Sequence, residues 1–168
     1  MNTLYITIGI SGSGKSTFCN KLKEVEGKTL KIVSTDGIRK ELFNDETEQK
    51  QNGLVFKTAY NRIVKHLTQG YDVAFDATNL RISTLKDIDK LLTNNGLKKH
   101  LKVIGLVFDT SLNLDYCLKN NNSRNRIVPI DVIKKQQKLF INNICEIVNN
   151  KLFTEIKNIC WQEYASML

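Results

Sequence analysis

The stretch Gly9-Ile10-Ser11-Gly12-Ser13-Gly14-Lys15-Ser16-Thr17 fits the pattern GxxxxGK(S/T) and constrains the fold of this 168-residue chain more than any other. It follows a strand-like apolar run, Leu4–Ile8, and precedes a helix-like stretch, Lys15–Val25. That is the context in which such a loop has meaning. Its glycines let the backbone turn tightly and bring N–H groups against an anion. The helix start adds unpaired donors and a partial positive charge. The anion that suits this turn is a triphosphate. Gly9, Ser11, Gly12, Ser13, Gly14 and Thr17 are expected to line it, Lys15 to bridge its β and γ phosphates, and Ser16 to offer a hydroxyl to Mg²⁺.

The rest of the chain repeats the strand–helix alternation. Strands are expected at Leu4–Ile8, Leu30–Ser34, Asp72–Asp76, Leu101–Phe108 and, more weakly, Phe153–Ile159. Helices are expected near Lys15–Val25, Gly37–Phe43, Gly53–Gln69, Ser83–Asn94, Ser111–Lys119 and Pro129–Asn149, with Gly27, Gly70 and Gly96 each closing one. The strands lack strict polar alternation, which implies an α/β fold: a P-loop NTPase-type parallel sheet flanked by helices on both faces. Residues 1–168 read as a single domain, with polar loops at Asn44–Asn52 and Lys119–Val128; the second is an arginine-bearing lid. Hydrophobic residues at 41% and charged residues at 25% are ordinary globular usage, which excludes a disordered chain. No apolar run approaches the roughly 18–20 residues that cross a bilayer, and the one before the glycine loop is too short for a secretory leader. The expectation is a cytoplasmic protein without a membrane partner. Cys19, Cys117, Cys145 and Cys160 form no CxxC pair and read as small apolar residues in a reducing compartment.

What lies downstream of the glycine loop limits the use of the triphosphate. There is no NKxD, no DxxG after the 72–76 strand, and no apolar run ending in Asp-Glu. GTPase switches and motor ATPases are therefore disfavoured, and a small kinase is left.

Two further segments should reach the same rim of the sheet, at the carboxyl ends of the strands. In Asp36-Gly37-Ile38-Arg39 the carboxylate and guanidinium fall three apart at a helix start, on one face. A carboxylate there can orient an alcohol and take its proton, and a fixed cation can hold an anionic acceptor. The bland reading makes Asp36 a helix cap and Arg39 a solvated side chain. Asp76-Ala77-Thr78-Asn79 ends the third strand; it can orient Arg39, reach Mg²⁺ through water (as Asp36 can), hold substrate, or simply turn the chain. Lys119, Arg124 and Arg126 can neutralise charge on a transferred phosphoryl group.

Taken together, GISGSGKST, STDGIR, FDATNL and RNRIVPIDVI resemble the 5′-hydroxyl polynucleotide kinase family, over roughly residues 3–140. The likeness is to the kinase half of the bacteriophage polynucleotide kinase-phosphatase and to the bacterial end-healing kinases. It implies ATP and Mg²⁺ as cofactors and a DNA or RNA 5′-OH end as partner. It also implies Lys15 and Ser16 on the phosphates and metal, Asp36 as general base, and Arg39 on the acceptor's neighbouring phosphate. Asp76, Thr78 and Asn79 match the family's DxTN element, and Arg124 or Arg126 matches its lid arginine. The phosphatase motif DxDxT has no counterpart, because Asp87-Ile88-Asp89-Lys90-Leu91 lacks the threonine. A small-molecule hydroxyl (sugar, nucleoside, aminoacyl group or antibiotic) is the rival acceptor, and a nucleotide-binding module without turnover is the third reading. The formal charge of +8 suits a polyanion but follows equally from a Lys-rich composition, so it names no partner.

Overall fold

All five apolar runs form strands, and every pairing between them is parallel. In the computed structural model, which describes residues 1–45, 50–123 and 126–160, these are β1 (Asn2–Ile8), β2 (Leu30–Ser34), β3 (Asp72–Asp76), β4 (Leu101–Phe108) and β5 (Glu155–Ile159). They lie in the order β2-β3-β1-β4-β5. Parallel neighbours need crossovers, and each crossover holds at least one helix: α1 (Lys15–Glu26), α2 (Thr35–Phe43), α3 (Asn52–Thr68), α4 (Ile82–Asn94), α5 (Leu114–Asn122) and α6 (Ile130–Val148).

Side-chain alternation along the central strands sorts these helices into two layers. Leu4, Ile6 and Ile8 of β1, with Val73 and Phe75 of β3, bury against Val55, Ala59 and Ile63 of α3, Leu85 and Ile88 of α4, and Ile133 and Phe140 of α6. The opposite face carries Ala74, Ile104, Leu106 and Phe108, which pack under Cys19 and Phe18 of α1. Both faces are covered, as the near-continuous apolar strands require.

Gly105 shows how tightly β4 is covered at its outer side. A β-carbon there would stand 2.5 Å from Ile156 Cδ1 and 3.1 Å from the Phe153 ring. Gly105→Ala is expected to cost about 1–3 kcal/mol of stability through overpacking, seen as a fall of several degrees in Tm. An unchanged melting curve would mean that the β5 end repacks freely.

Two expectations change at the P-loop's outer edge. The helix expected over Ser111–Lys119 instead starts at Leu114, after a 3₁₀ turn at Asp109–Leu112. The cause is Asn113, whose side chain accepts from the Tyr116 amide and caps α5. That helix then runs to Asn122, so Lys119 sits within it and the loop before Pro129 is shorter than the expected 119–128. Arg124 lies outside the described residues. No described helix is long and apolar enough to cross a membrane.

Candidate active site

The register of the sheet brings the two acidic segments together. Ser34 at the end of β2 pairs with Asp76 at the end of β3, and β1 between β3 and β4 delivers the glycine loop to the same rim. This is the point where the chain winds off in both directions, the usual crevice of a doubly wound sheet.

The glycine loop is braced from outside by residues remote in sequence. The Ile10 amide donates to Ser111 Oγ (3.1 Å), and the Ser11 amide donates to Gln136 Oε1 (2.8 Å). Thr110 Oγ1 donates to the Ser13 carbonyl (2.8 Å), and Asn120 Nδ2 to that of Gly12 (3.0 Å). Gly12 has φ +82°, and a β-carbon on it would lie 2.1 Å from the Cys117 carbonyl oxygen. Gly9 is likewise close-packed, 2.7 Å from Ser13 Oγ by the same measure. Lys15, buried, donates from Nζ to the Ile10 carbonyl at 2.6 Å, which holds the ammonium across the loop.

Asp76 is buried at the end of β3 and its Oδ2 accepts from Ser16 Oγ at 2.7 Å. A hydroxyl and a carboxylate so placed are hard oxygen donors of the kind Mg²⁺ takes along with water and phosphate oxygens. The residues therefore fit the ion, which Ser16 and Asp76 would hold. Among the described residues no cluster of three or more His, Cys, Asp or Glu forms a self-sufficient metal cage.

Ser34, not Asp36, caps α2, its hydroxyl accepting from the Gly37 amide at 3.3 Å. Asp36 is thereby released from capping. Its carboxylate accepts from Arg39 Nη1 at 2.9 Å and also pairs with Arg126 Nη1. The Asp36 side chain stays 35% exposed while that of Arg39 is only 7% exposed, so the acid faces the cleft and the base lies in its floor. Arg39 Nη2 donates to Asn52 Oδ1 at 2.6 Å, at the first residue of α3. Burial draws the Arg39 guanidinium below its ordinary pKa; Asp36 pulls it back and Arg126 pushes it further down. Burial pushes the Cys117 thiol up to about 11, against the pull of Lys15, and its Sγ donates to the Thr110 carbonyl. That sulfur is a structural thiol rather than a nucleophile.

The FDATNL turn is stitched to β1. The Thr7 hydroxyl donates to the Ala77 carbonyl (2.8 Å), and the Gly9 amide donates to that of Thr78 (3.1 Å). Asn79 takes φ +48° and donates from Nδ2 to the Thr7 carbonyl at 2.8 Å, so its amide is turned toward the sheet. Its side-chain oxygen is buried and has no partner among the described residues.

Two hollows meet over this machinery. The larger, about 600 Å³, is lined by Lys15, Ser16, Asp36, Arg39, Asp76, Thr78 and Asn79, and also by Asn52, Phe56, Leu80, Arg81, Arg126, Val132, Lys135, Gln136 and Leu139. The smaller, about 300 Å³, is lined by Gly12, Gly14, Lys15, Ser16 and Thr17 with Tyr116, Asn120 and Ser123. Their linings share Lys15 and Ser16. Of the expected residues, Ser11, Lys15, Ser16, Asp36, Arg39, Asp76, Thr78, Asn79 and Arg126 line the larger hollow. Asn52, Gln136, Tyr116 and Asn120 were not anticipated. Asn52 ends the loop expected at Asn44–Asn52 and Tyr116 falls inside the helix expected at Ser111–Lys119, so neither place singled them out.

Residues 4–142 match the family model described as an AAA domain. No curated protein matches the sequence. Among solved structures, a chain of the Pnkp1/Rnl/Hen1 RNA repair complex aligns over 86% of this chain and 46% of its own, at 22% identity and TM-score 0.71. The present chain thus spans less than half of that relative. A gluconokinase from Sinorhizobium meliloti aligns over 94% of this chain and 83% of its own, at 14% identity and TM-score 0.54. The tunicamycin resistance protein of Deinococcus radiodurans aligns over 99% and 93%, at 11% identity and TM-score 0.57. At these identities the likeness is one of fold, a five-stranded parallel sheet of the P-loop NTPase kind.

Proposed function

The chain belongs to the AAA domain family, and from that premise we propose that it is an ATP-dependent kinase transferring the γ-phosphoryl group to a hydroxyl, most suitably the 5′-OH of a polynucleotide. The observation that carries this reading is the meeting of two hollows at Lys15 and Ser16, with Asp36 on the wall of the larger. Donor and acceptor then approach the glycine loop from opposite sides, as in-line transfer requires. Asp36 accepts the proton of the attacking hydroxyl. Arg39, held by Asn52, orients that carboxylate and turns its remaining Nη hydrogens to the phosphate beside the hydroxyl. Arg126 pairs with Asp36 and lines the same cleft, and its guanidinium offsets charge developing on the transferred group. Ser16 and Asp76 would hold Mg²⁺, which would supply positive charge to offset that of the triphosphate. The likeness to the RNA repair complex and the motif set favour a nucleic-acid end, whereas the gluconokinase and the tunicamycin resistance protein keep the small-molecule acceptor as the second reading.

The test is label transfer from γ-labelled ATP to a 5′-OH oligonucleotide, set beside a panel of sugars, nucleosides and aminoglycoside-type alcohols. Transfer to the oligonucleotide is expected to dominate; label reaching only a member of the panel would reverse the choice of acceptor.

The smaller hollow suits the donor's nucleoside, with the Tyr116 ring as its platform. Tyr116→Ala is expected to weaken ATP binding roughly five- to a hundredfold, the range of a lost base–aromatic stack of about 1–3 kcal/mol. Calorimetric titration with ATP reads this directly, and an unchanged Kd would move the base elsewhere.

A further inference from the structure

A polynucleotide carries a phosphate on every nucleotide, and the larger cleft carries cations at two depths. Arg39 lies in the floor, nearly inaccessible, whereas Arg81 and Lys135 are exposed at the mouth and line the same cleft. They come from different walls. Arg81 stands just before α4 and Lys135 is on α6. The walls are tied by Asn143 Nδ2, which donates to the Leu80 carbonyl at 2.9 Å.

Arg81 differs from the other described arginines. Arg39 and Arg126 both pair with Asp36, and Arg62 pairs with Glu41. Among the described residues no carboxylate pairs with Arg81 or with Lys135. Phe56, Leu80, Val132 and Leu139 line the same cleft without charge, and its two described carboxylates are already engaged, Asp36 with Arg39 and Arg126 and Asp76 with Ser16.

The geometry points to a second anion subsite at the mouth of the cleft: Arg81 and Lys135 hold the second phosphate of the acceptor strand, beyond the one served by Arg39. This rests on the polynucleotide reading above and adds a length to it, because the preferred acceptor then carries at least two phosphates. Charge attraction at an exposed pair acts chiefly through encounter and retention of the strand, and salt weakens it.

The experiment compares three acceptors with the full chain and saturating ATP: a nucleoside 3′-phosphate, a 5′-OH dinucleotide ending in a 3′-phosphate, and a longer single-stranded 5′-OH oligonucleotide. The intact protein is expected to gain about tenfold in kcat/KM from the first to the second and little from the second to the third. Arg81→Glu and Lys135→Glu are each expected to bring the ratio between the first two acceptors close to one. Each should also flatten the log–log salt dependence of oligonucleotide phosphorylation by about 0.7, one single-strand phosphate contact. ATP affinity measured on the same variants checks that they are folded. Equal losses on one-phosphate and two-phosphate acceptors would overturn the subsite. So would an intact protein that uses the mononucleotide as well as the oligonucleotide, and in that case the kinase reading survives. Transfer to a sugar or antibiotic with none to any nucleotide would remove the subsite and the polynucleotide acceptor together, leaving a small-molecule kinase.

Discussion

Replacing Asp36 with alanine is expected to lower phosphoryl transfer by roughly 10²–10⁴-fold, the usual cost of losing a general base, while ATP affinity changes little. The expectation follows from where the carboxylate stands. It is part of the cleft wall, half-open to an incoming hydroxyl, and is not needed as a helix cap because Ser34 does that work. Alanine has a side effect, because it strips Arg39 of its carboxylate partner and leaves a buried guanidinium held through Asn52. Removing one member of such a pair destabilises the fold. Asp36→Asn separates the two consequences: it keeps an oxygen that can accept from Arg39 but cannot take a proton. Single-turnover transfer should collapse in both variants, and the melting temperature should fall mainly in the alanine one. Turnover within a few-fold of the intact enzyme in Asp36→Asn would place the base elsewhere.

Gly12→Ala is the second large effect, and it acts on the donor. The residue has φ +82°, which costs an L-residue about 1–2 kcal/mol. Its new β-carbon would also sit 2.1 Å from a backbone carbonyl, that of Cys117, which no rotamer change can move aside. Either the glycine loop or α5 must shift, and the Asn120 bond to the Gly12 carbonyl shifts with it. Together these are expected to cost about 3–5 kcal/mol, a drop in Tm of around 10 °C, and to weaken ATP binding by at least about a hundredfold. Gly14→Ala is the control. Its φ is +94°, yet a β-carbon there meets nothing within 4 Å, so it should lose only the conformational part of the stability. Equal melting temperatures for the two variants would show that the Cys117 contact carries no weight.

Much of the architecture was legible because it is written locally. A glycine turn between a strand and a helix, apolar runs of strand length and helix-closing glycines are each contained within about ten residues. The sharing of a rim by Lys15, Asp36 and Asp76 followed from parallel topology alone. What could not be read is how side chains distant in sequence meet. Gln136 reaches Ser11 across 125 residues, and Asn120 reaches Gly12 across 108; no single sequence states the register between such elements. The cap of α2 is a different kind of miss. Ser34 and Asp36 are both capping residue types, and only the backbone shows that the helix starts early enough for the serine to win. Asn79 illustrates the same limit. An amide near a phosphate loop reads as a substrate contact, and the sequence does not show that its nitrogen is also tied to the Thr7 carbonyl while the side chain lines the cleft.

Helix α6 carries Gln136, whose carbonyl oxygen takes the Ser11 amide, beside Lys135 and one turn from Val132 and Leu139 on the cleft wall. One helix thus braces the glycine loop and walls the larger cleft, the two places the proposed function gives to donor and acceptor. Any tilt of that helix that tightens around the alcohol also alters the loop that grips the nucleotide. The two ligands are then thermodynamically linked, and whatever factor one imposes on the other's dissociation constant is returned in equal measure.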